Sequence, residues 1–308
     1  MKTDTVTRLM TQSTNKSKSS SMIDSLNAQF KFMIHQLNVD GIHSSPRGLA
    51  VKELELQTLS FNPNFAIPDF KARPFNWKYF MGELAWYMYR DTNIGFINNF
   101  SNFWKGIATP EGYINSNYGF ILFDDQLEWA KKALLNDKNT RQAVCFLNRP
   151  KYQYEGNKDF VCTMYLNFWI RDNKLNMKVQ MRSNDIFYGL SYDAPFFAFV
   201  QQTMWHWLKD THEGLELGTY YHCADNIHFY ERHFEIAEKI DNEDLVDPEY
   251  FMLKEPLFVS KDGQYILLPA GQQFLADVNE IVDQMENEEY KLTNEIAKQT
   301  LSKYFWIQ

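Results

Sequence analysis

The stretch Cys162-Thr163-Met164-Tyr165-Leu166-Asn167-Phe168-Trp169-Ile170-Arg171-Asp172-Asn173-Lys174-Leu175-Asn176-Met177-Lys178-Val179-Gln180-Met181-Arg182-Ser183 decides the fold class. Apolar residues recur at every second position on both sides of Asp172-Asn173: Met164, Leu166, Phe168 and Ile170 before it, Leu175, Met177, Val179 and Met181 after it. Successive side chains of a strand point to opposite faces, so each run lays one apolar row against a core. A two-residue turn at Asp172-Asn173 pairs Ile170 with Leu175, Phe168 with Met177, Leu166 with Val179 and Met164 with Met181, and the apolar rows coincide. The same register sets Cys162 opposite Ser183, next to Arg182. A thiol beside a cation is a candidate nucleophile, because the positive charge favours the thiolate.

Working outward, residues 22–37 space Ile23, Leu26, Phe30, Met33, Ile34 and Leu37 by three and four, as a helix with one buried face does. Residues 51–61 alternate in part, with Leu54, Leu56 and Thr58 on one side and Glu53, Glu55 and Gln57 on the other, which predicts a half-exposed strand. The spacing predicts helices over 77–89 and 196–208, a strand over 220–230, and one long amphipathic helix over 274–304. In the first of those helices Glu83 stands among Phe80, Leu84, Trp86 and Tyr87, where a carboxylate is costly to bury without a partner or a task. Strands and helices alternate without a regular βαβ rhythm, and the fold class expected is α+β. No repeat or Pro/Ser-rich linker divides the chain, so residues 22–308 are read as one domain, preceded by a polar tail over 1–21 expected to be disordered.

The chain has 308 residues, with 39 Asp plus Glu against 31 Lys plus Arg and a net charge of −8. That balance argues against a general nucleic-acid binder. Cys145, Cys162 and Cys223 are an odd number of thiols with no CxxC pair, which fits neither a disulfide framework nor a structural zinc site. A reducing cytoplasm is therefore expected, and with no apolar leader and no apolar run approaching the roughly 18 residues of a membrane span, no membrane partner is expected. His222 and His228 lack a clustered third ligand type, so no metal is expected either.

Six segments in order resemble the thymidylate synthase family and, within it, the bacteriophage deoxycytidylate hydroxymethylases. They are Glu83-Leu84-Ala85-Trp86, Asp91-Thr92-Asn93-Ile94, Asn115-Ser116-Asn117-Tyr118-Gly119, Asp159-Phe160-Val161-Cys162-Thr163, Met181-Arg182-Ser183-Asn184-Asp185 with Gly189, and His222 through His228-Phe229-Tyr230. The resemblance runs from about Arg47 to His233. It implies a homodimer with sheets packed back to back, a pyrimidine nucleoside monophosphate as substrate and 5,10-methylenetetrahydrofolate as one-carbon donor. Cys162 would add to C6 of the base and make C5 a carbon nucleophile. The one-carbon unit attached there would be either reduced to methyl or captured by water as hydroxymethyl.

The resemblance also assigns residues. Arg182, Ser183 and Arg47 would hold the phosphate with Arg141 from the other subunit, arginine forks being suited to phosphate oxygens. Gln142 departs from the family pattern, in which many relatives carry a second consecutive arginine. Glu83 would order water and shuttle protons, Tyr118 would line the nucleophile's side, and His228 with Tyr230 would reach the sugar 3′-hydroxyl. Asp185, Trp104 and Gly189, together with Glu83, would face the folate.

The choice of base turns on Asp193, where dUMP-using relatives carry Asn. Uracil offers an N3–H donor and an O4 acceptor, whereas cytosine offers an N4 amino donor and an N3 acceptor. A carboxyl accepts from N4 and, when protonated, donates toward N3, so cytosine is the better match and dCMP the expected substrate. The polar Asp159-Phe160-Val161-Cys162-Thr163 segment points to hydroxymethyl over methyl. Open alternatives are C5 methylation of dCMP or dUMP, hydroxymethylation of CMP, and a catalytically silent nucleotide- or RNA-binding dimer. Cys145 and Cys223 read as small buried residues, and Asp193 has a plain reading as a cap of the helix after it.

Overall fold

The computed structural model describes residues 24–308. The tail expected over 1–21, and Ile23 of the first predicted helix, lie outside the described residues. Helix α1 (Leu26–Asp40) opens the fold, N-capped by the Ser25 side chain, and buries Leu26, Phe30, Met33, Ile34 and Leu37. It is followed by β1 (Ile42–Ser44), β2 (Val51–Phe61), α2 (Trp77–Tyr89), α3 (Tyr118–Leu122), α4 (Asp125–Asn136), β3 (Val144–Phe146), β4 (Thr163–Arg171) and β5 (Lys174–Met181). Then come β6 (Asn184–Asp185), a π-helical turn over Ile186–Leu190, α5 (Ser191–Leu208), β7 (Glu216–Tyr230) and α6 (Phe234–Asn242). The chain ends through β8 (Phe251–Leu253), β9 (Phe258–Lys261), β10 (Gln264–Leu267), α7 (Pro269–Met285), α8 (Asn294–Leu301) and β11 (Phe305–Ile307).

The main sheet runs β1-β2-β7-β5-β4-β3, with β6 beside β7 as a short continuation of β5. β5 and β7 are parallel and the remaining neighbours along that path are antiparallel, so the class is α+β as expected, with one parallel crossover carried by α5. β4 and β5 form the predicted hairpin. Asp172 and Asn173 both take positive φ (50° and 58°), the conformation that a tight two-residue hairpin turn needs. Ile170 faces Leu175, Phe168 faces Met177 and Leu166 faces Val179, as the alternation requires.

The register then shifts. A bulge between Thr163 and Tyr165 makes Thr163, not Met164, the partner of Met181. Met164 is the extra residue, and its carbonyl accepts from the backbone N–H of Leu147 (3.0 Å) and Asn148 (3.3 Å). Beyond the bulge Thr163 and Val161 are buried, so the core row changes parity and Cys162 leaves it. Cys162 therefore faces Arg182 and not Ser183, and the Arg182 N–H donates to the Cys162 carbonyl at 2.9 Å. A single-residue insertion in one strand leaves no mark on hydrophobic alternation near the strand end, which is why the expected pairing is off by one.

Three further expectations need correction. In β2 the buried side is Val51, Leu59 and Phe61, while Leu56 has φ 53° and is 80% exposed. The core-facing row is set by where β2 meets α1, not by the leucines at 54 and 56. The long helix expected over 274–304 is two helices, α7 and α8, separated by residues 286–293. Thr293 caps α8 by accepting from the Ile296 N–H, and the chain then extends so that β11 pairs with β8. Both helices share apolar spacing, so periodicity alone joins them. Asp193 is not a helix cap: it lies in the first turn of α5, after the π turn.

Backbone contact between α2 and α3 fixes the wall of the site. A Cβ on Gly119 would fall 1.7 Å from the Tyr87 carbonyl oxygen. Gly119→Ala is expected to destabilise the protein by about 3 kcal/mol through forced separation of the two helices. Urea denaturation checks this, and an unchanged midpoint would contradict so tight an approach.

Candidate active site

A cavity of about 1170 Å³ opens beside the hairpin end and the π turn. Arg47, Cys162, Arg182, Ser183, His228 and Tyr230 line it, as do Glu83, Trp104, Tyr118, Asp185, Gly189 and Asp193. Arg141 does not; it is exposed on the loop before β3. The fold collects the others by simple means. The strand break at Arg182-Ser183 between β5 and β6 turns those side chains to the cavity, while α2 brings Glu83 and the end of β7 brings His228 and Tyr230.

Glu83 is buried. Its Oε1 accepts from the hydroxyls of Tyr79 (2.6 Å) and Tyr87 (3.3 Å), and the Trp104 indole N–H in turn donates to the Tyr79 oxygen (3.2 Å). Burial pushes the Glu83 pKa up to about 8 against the Tyr79 hydrogen bond, with the nearby Asp193 charge adding to the rise. At neutral pH the carboxyl thus keeps a proton that it can give to or recover from a reacting group. An unfolded chain has released that proton, so between about 4.5 and 8 the folded state binds more protons and its stability falls as pH rises. Glu83→Gln is expected to flatten that part of the stability profile and to lower turnover on the order of 10²–10⁴-fold. Melting points at stepped pH together with initial rates check both effects, and a variant with the parent's slope would rule out Glu83 as their source.

The Cys162 thiol is pushed up to about 11 by burial, which outweighs the lowering by Arg182. Arg182 Nη2 lies 3.5 Å from the sulfur but also donates to the Phe160 carbonyl (2.5 Å), and Nε donates to the Val161 carbonyl (3.2 Å). The same guanidinium therefore ties down the loop that carries the thiol. Tyr118 stands alongside, its hydroxyl 2.9 Å from Thr163 Oγ1.

His228 Nδ1 lies 3.0 Å from Asn226 Oδ1, an atom that only accepts, so Nδ1 carries the hydrogen. Burial holds His228 down to about 4, which leaves a neutral ring with Nε2 bare to accept a hydroxyl. Asp185 Oδ1 accepts from the N–H groups of Phe187 (2.7 Å) and Tyr188 (2.6 Å), whereas its Oδ2 is buried without a partner. Such an acceptor needs a donor from a ligand or water.

The family profile described as "Thymidylate synthase" matches residues 28–257. The chain belongs to the thymidylate synthase family. Among curated proteins it is similar to "Deoxycytidylate 5-hydroxymethyltransferase" of Enterobacteria phage T4, 29% identical over 61% of this chain and 80% of that protein. It is also similar to the phage T6 protein of the same name, at 29% and the same coverage. "Deoxyuridylate hydroxymethyltransferase" of Bacillus phage SP01 is 28% identical over 60% of this chain and 52% of that protein.

Within this thymidylate synthase scaffold several cavity residues do work to which the sequence reading assigned no residue. Asn184 donates to Asp193 Oδ2 at 2.8 Å. Arg73 donates to Ser191 Oγ (3.0 Å) and to the Phe187 carbonyl (2.6 Å), bracing the π turn. Asp159 accepts from the Ser116 N–H (2.8 Å) and hydroxyl (2.6 Å), fixing the loop before Tyr118 to the loop before Cys162. Tyr79 and Tyr87 had a signal, their four-residue spacing from Glu83 on one helix; the others meet only through tertiary packing. No described helix is long and apolar enough to cross a membrane, and among the described residues no group of three His, Cys, Asp or Glu could hold a metal ion.

Proposed function

We propose that this member of the thymidylate synthase family transfers a one-carbon unit to C5 of dCMP, with water capturing it as a hydroxymethyl group. What carries the reading is the convergence of Cys162, Arg182, Glu83 and Asp193 on one cavity, in a chain similar to phage deoxycytidylate 5-hydroxymethyltransferases. In the proposed reaction the Cys162 sulfur adds to C6, Glu83 moves protons through ordered water at the base, and Asp193 reads the cytosine edge. Burial pushes Asp193 up to about 6, against the Asn184 hydrogen bond, so a protonated carboxyl that donates toward N3 is within reach near neutrality. His228 Nε2 and the Tyr230 hydroxyl receive the sugar, and Arg47, Arg182 and Ser183 the phosphate.

The donor proposed is 5,10-methylenetetrahydrofolate, which supplies the carbon when bound. The residues present fit it: Asp185 Oδ2 is a buried acceptor awaiting a donor, as a pterin ring provides. Trp104, its N–H already given to Tyr79, offers only a ring surface. Gly189 lines the same cavity. We also propose one catalytic domain acting as a homodimer in the cytoplasm, Arg141 completing the partner's site. Support comes from its exposed place outside its own cavity and from half-exposed Tyr165, Trp169 and Tyr221 on the sheet face away from the helices. Sedimentation analysis is expected to give a dimer.

The deciding experiment incubates dCMP, CMP, dUMP and UMP separately with methylenetetrahydrofolate and reads product masses. Hydroxymethyl-dCMP is the expected product. The Bacillus phage relative favours a second reading in which dUMP is hydroxymethylated; a methylated product with dihydrofolate would overturn the water-capture step.

A further inference from the structure

Behind Asp193 lies a buried chain of hydrogen bonds with a fixed direction. Tyr220, His222 and Asn184 are 0%, 0% and 2% exposed. The Tyr220 hydroxyl lies 2.9 Å from His222 Nδ1, His222 Nε2 lies 3.1 Å from Asn184 Oδ1, and Asn184 Nδ2 lies 2.8 Å from Asp193 Oδ2. Burial holds the His222 pKa down to about 3, so the ring is neutral and has one N–H. Among the described residues the buried Tyr220 hydroxyl has no acceptor but Nδ1, so it donates there, the ring hydrogen is on Nε2, and the group facing Nε2 must be the Asn184 oxygen. Turning the Asn184 amide over would set donor against donor at His222 and oxygen against oxygen at Asp193. Its orientation is therefore fixed from behind. Gly189 closes the pair: a Cβ there would lie 2.6 Å from Asn184 Nδ2 and 3.1 Å from Asp193 Oδ2. No described residue donates to Oδ1, the atom left for a ligand.

We infer that Tyr220, His222 and Asn184 form a positioning relay that requires an acceptor on the Asn184 side of residue 193, and so makes its other atom the reader of the base. With aspartate that other atom is an oxygen, an acceptor for a cytosine amino group. With an amide, the oxygen is drawn to Asn184 and the NH₂ group faces the base, where it suits a uracil O4. An unrestrained amide could turn over and serve either base. The relay thus converts one substitution into a switch of specificity. This rests on the proposal that Asp193 reads the base, and it deepens that reading by naming what sets the polarity.

The test is a double-mutant cycle on the full-length protein, scored as the ratio of kcat/KM for dCMP to that for dUMP. Asp193→Asn alone is expected to favour dUMP. Asn184→Ala alone is expected to keep the dCMP preference, because both oxygens of a carboxyl accept. Asp193→Asn with Asn184→Ala is expected to lose roughly tenfold or more of the discrimination shown by Asp193→Asn. If the single and double variants discriminate equally, the relay is overturned while the base-reading proposal stands; if Asp193→Asn leaves the parent ratio unchanged, both fall. Nitrogen NMR of His222 in the parent protein needs no variant: a neutral ring with hydrogen on Nε2 supports the relay, and hydrogen on Nδ1 overturns it.

Discussion

Cys162→Ser is expected to lower turnover on the order of 10⁴-fold or more, with tritium release from dCMP labelled at C5 falling to background. Loss of C5 tritium reports the step that the sulfur makes possible: once C6 is saturated, C5 becomes nucleophilic and its hydrogen can leave. A serine hydroxyl at the same place has no accessible anion, and the burial that pushes Cys162 up to about 11 acts on any anion there. Nucleotide binding should survive, since Arg47, Ser183, His228 and Tyr230 contribute to the cavity independently of the sulfur. Calorimetry of dCMP binding separates the two effects. Residual tritium release at more than a few per cent of the parent rate would remove Cys162 from the proposed reaction, whatever the binding result.

Asp193→Asn is expected to move the dCMP to dUMP ratio of kcat/KM by roughly 10²–10⁴ toward dUMP. Two polar pairings reverse together. The introduced NH₂ group meets the cytosine amino group as donor against donor, and the proton that a carboxyl could lend to N3 is gone. For uracil the NH₂ group turned toward the base supplies a donor to O4. Isosteric shape makes the experiment clean, because the volume beside Gly189 and Asn184 does not change. Competition between the two nucleotides, read by mass, gives the ratio in one tube. A ratio that stays with dCMP would end the argument that residue 193 selects the base.

Much of this architecture can be read from residue order because local rules set it. The hairpin follows from matched alternation around Asp172-Asn173, and α2 from apolar spacing that holds Glu83 inside. The family segments then gathered Cys162, Arg182, Asp185, His228 and Tyr230, and these share one cavity with Asp193. What escaped depends on groups far apart in sequence meeting in a dry interior. The Asn184 amide is useful only because His222 and Asp193 lie on either side of it. Arg73 matters through the π turn it braces, more than a hundred residues on. Neither relation has a periodicity to betray it. The break between α7 and α8 did leave a mark, the apolar gap at Glu286-Asn287-Glu288-Glu289, but two amphipathic stretches on either side of it read as one.

Met164, the surplus residue of β4, has a bearing on how this protein can change over generations. Its side chain is half-exposed and opposes no partner on β5, so its identity is loosely constrained. Its presence is not. Deleting it would leave Thr163 opposite Met181 and Cys162 opposite Arg182, but it would strip the Leu147 and Asn148 N–H groups of their acceptor and straighten the bend from which the strand delivers the thiol to the cavity. Related lineages should therefore drift freely in letter at this site while never gaining or losing a codon there.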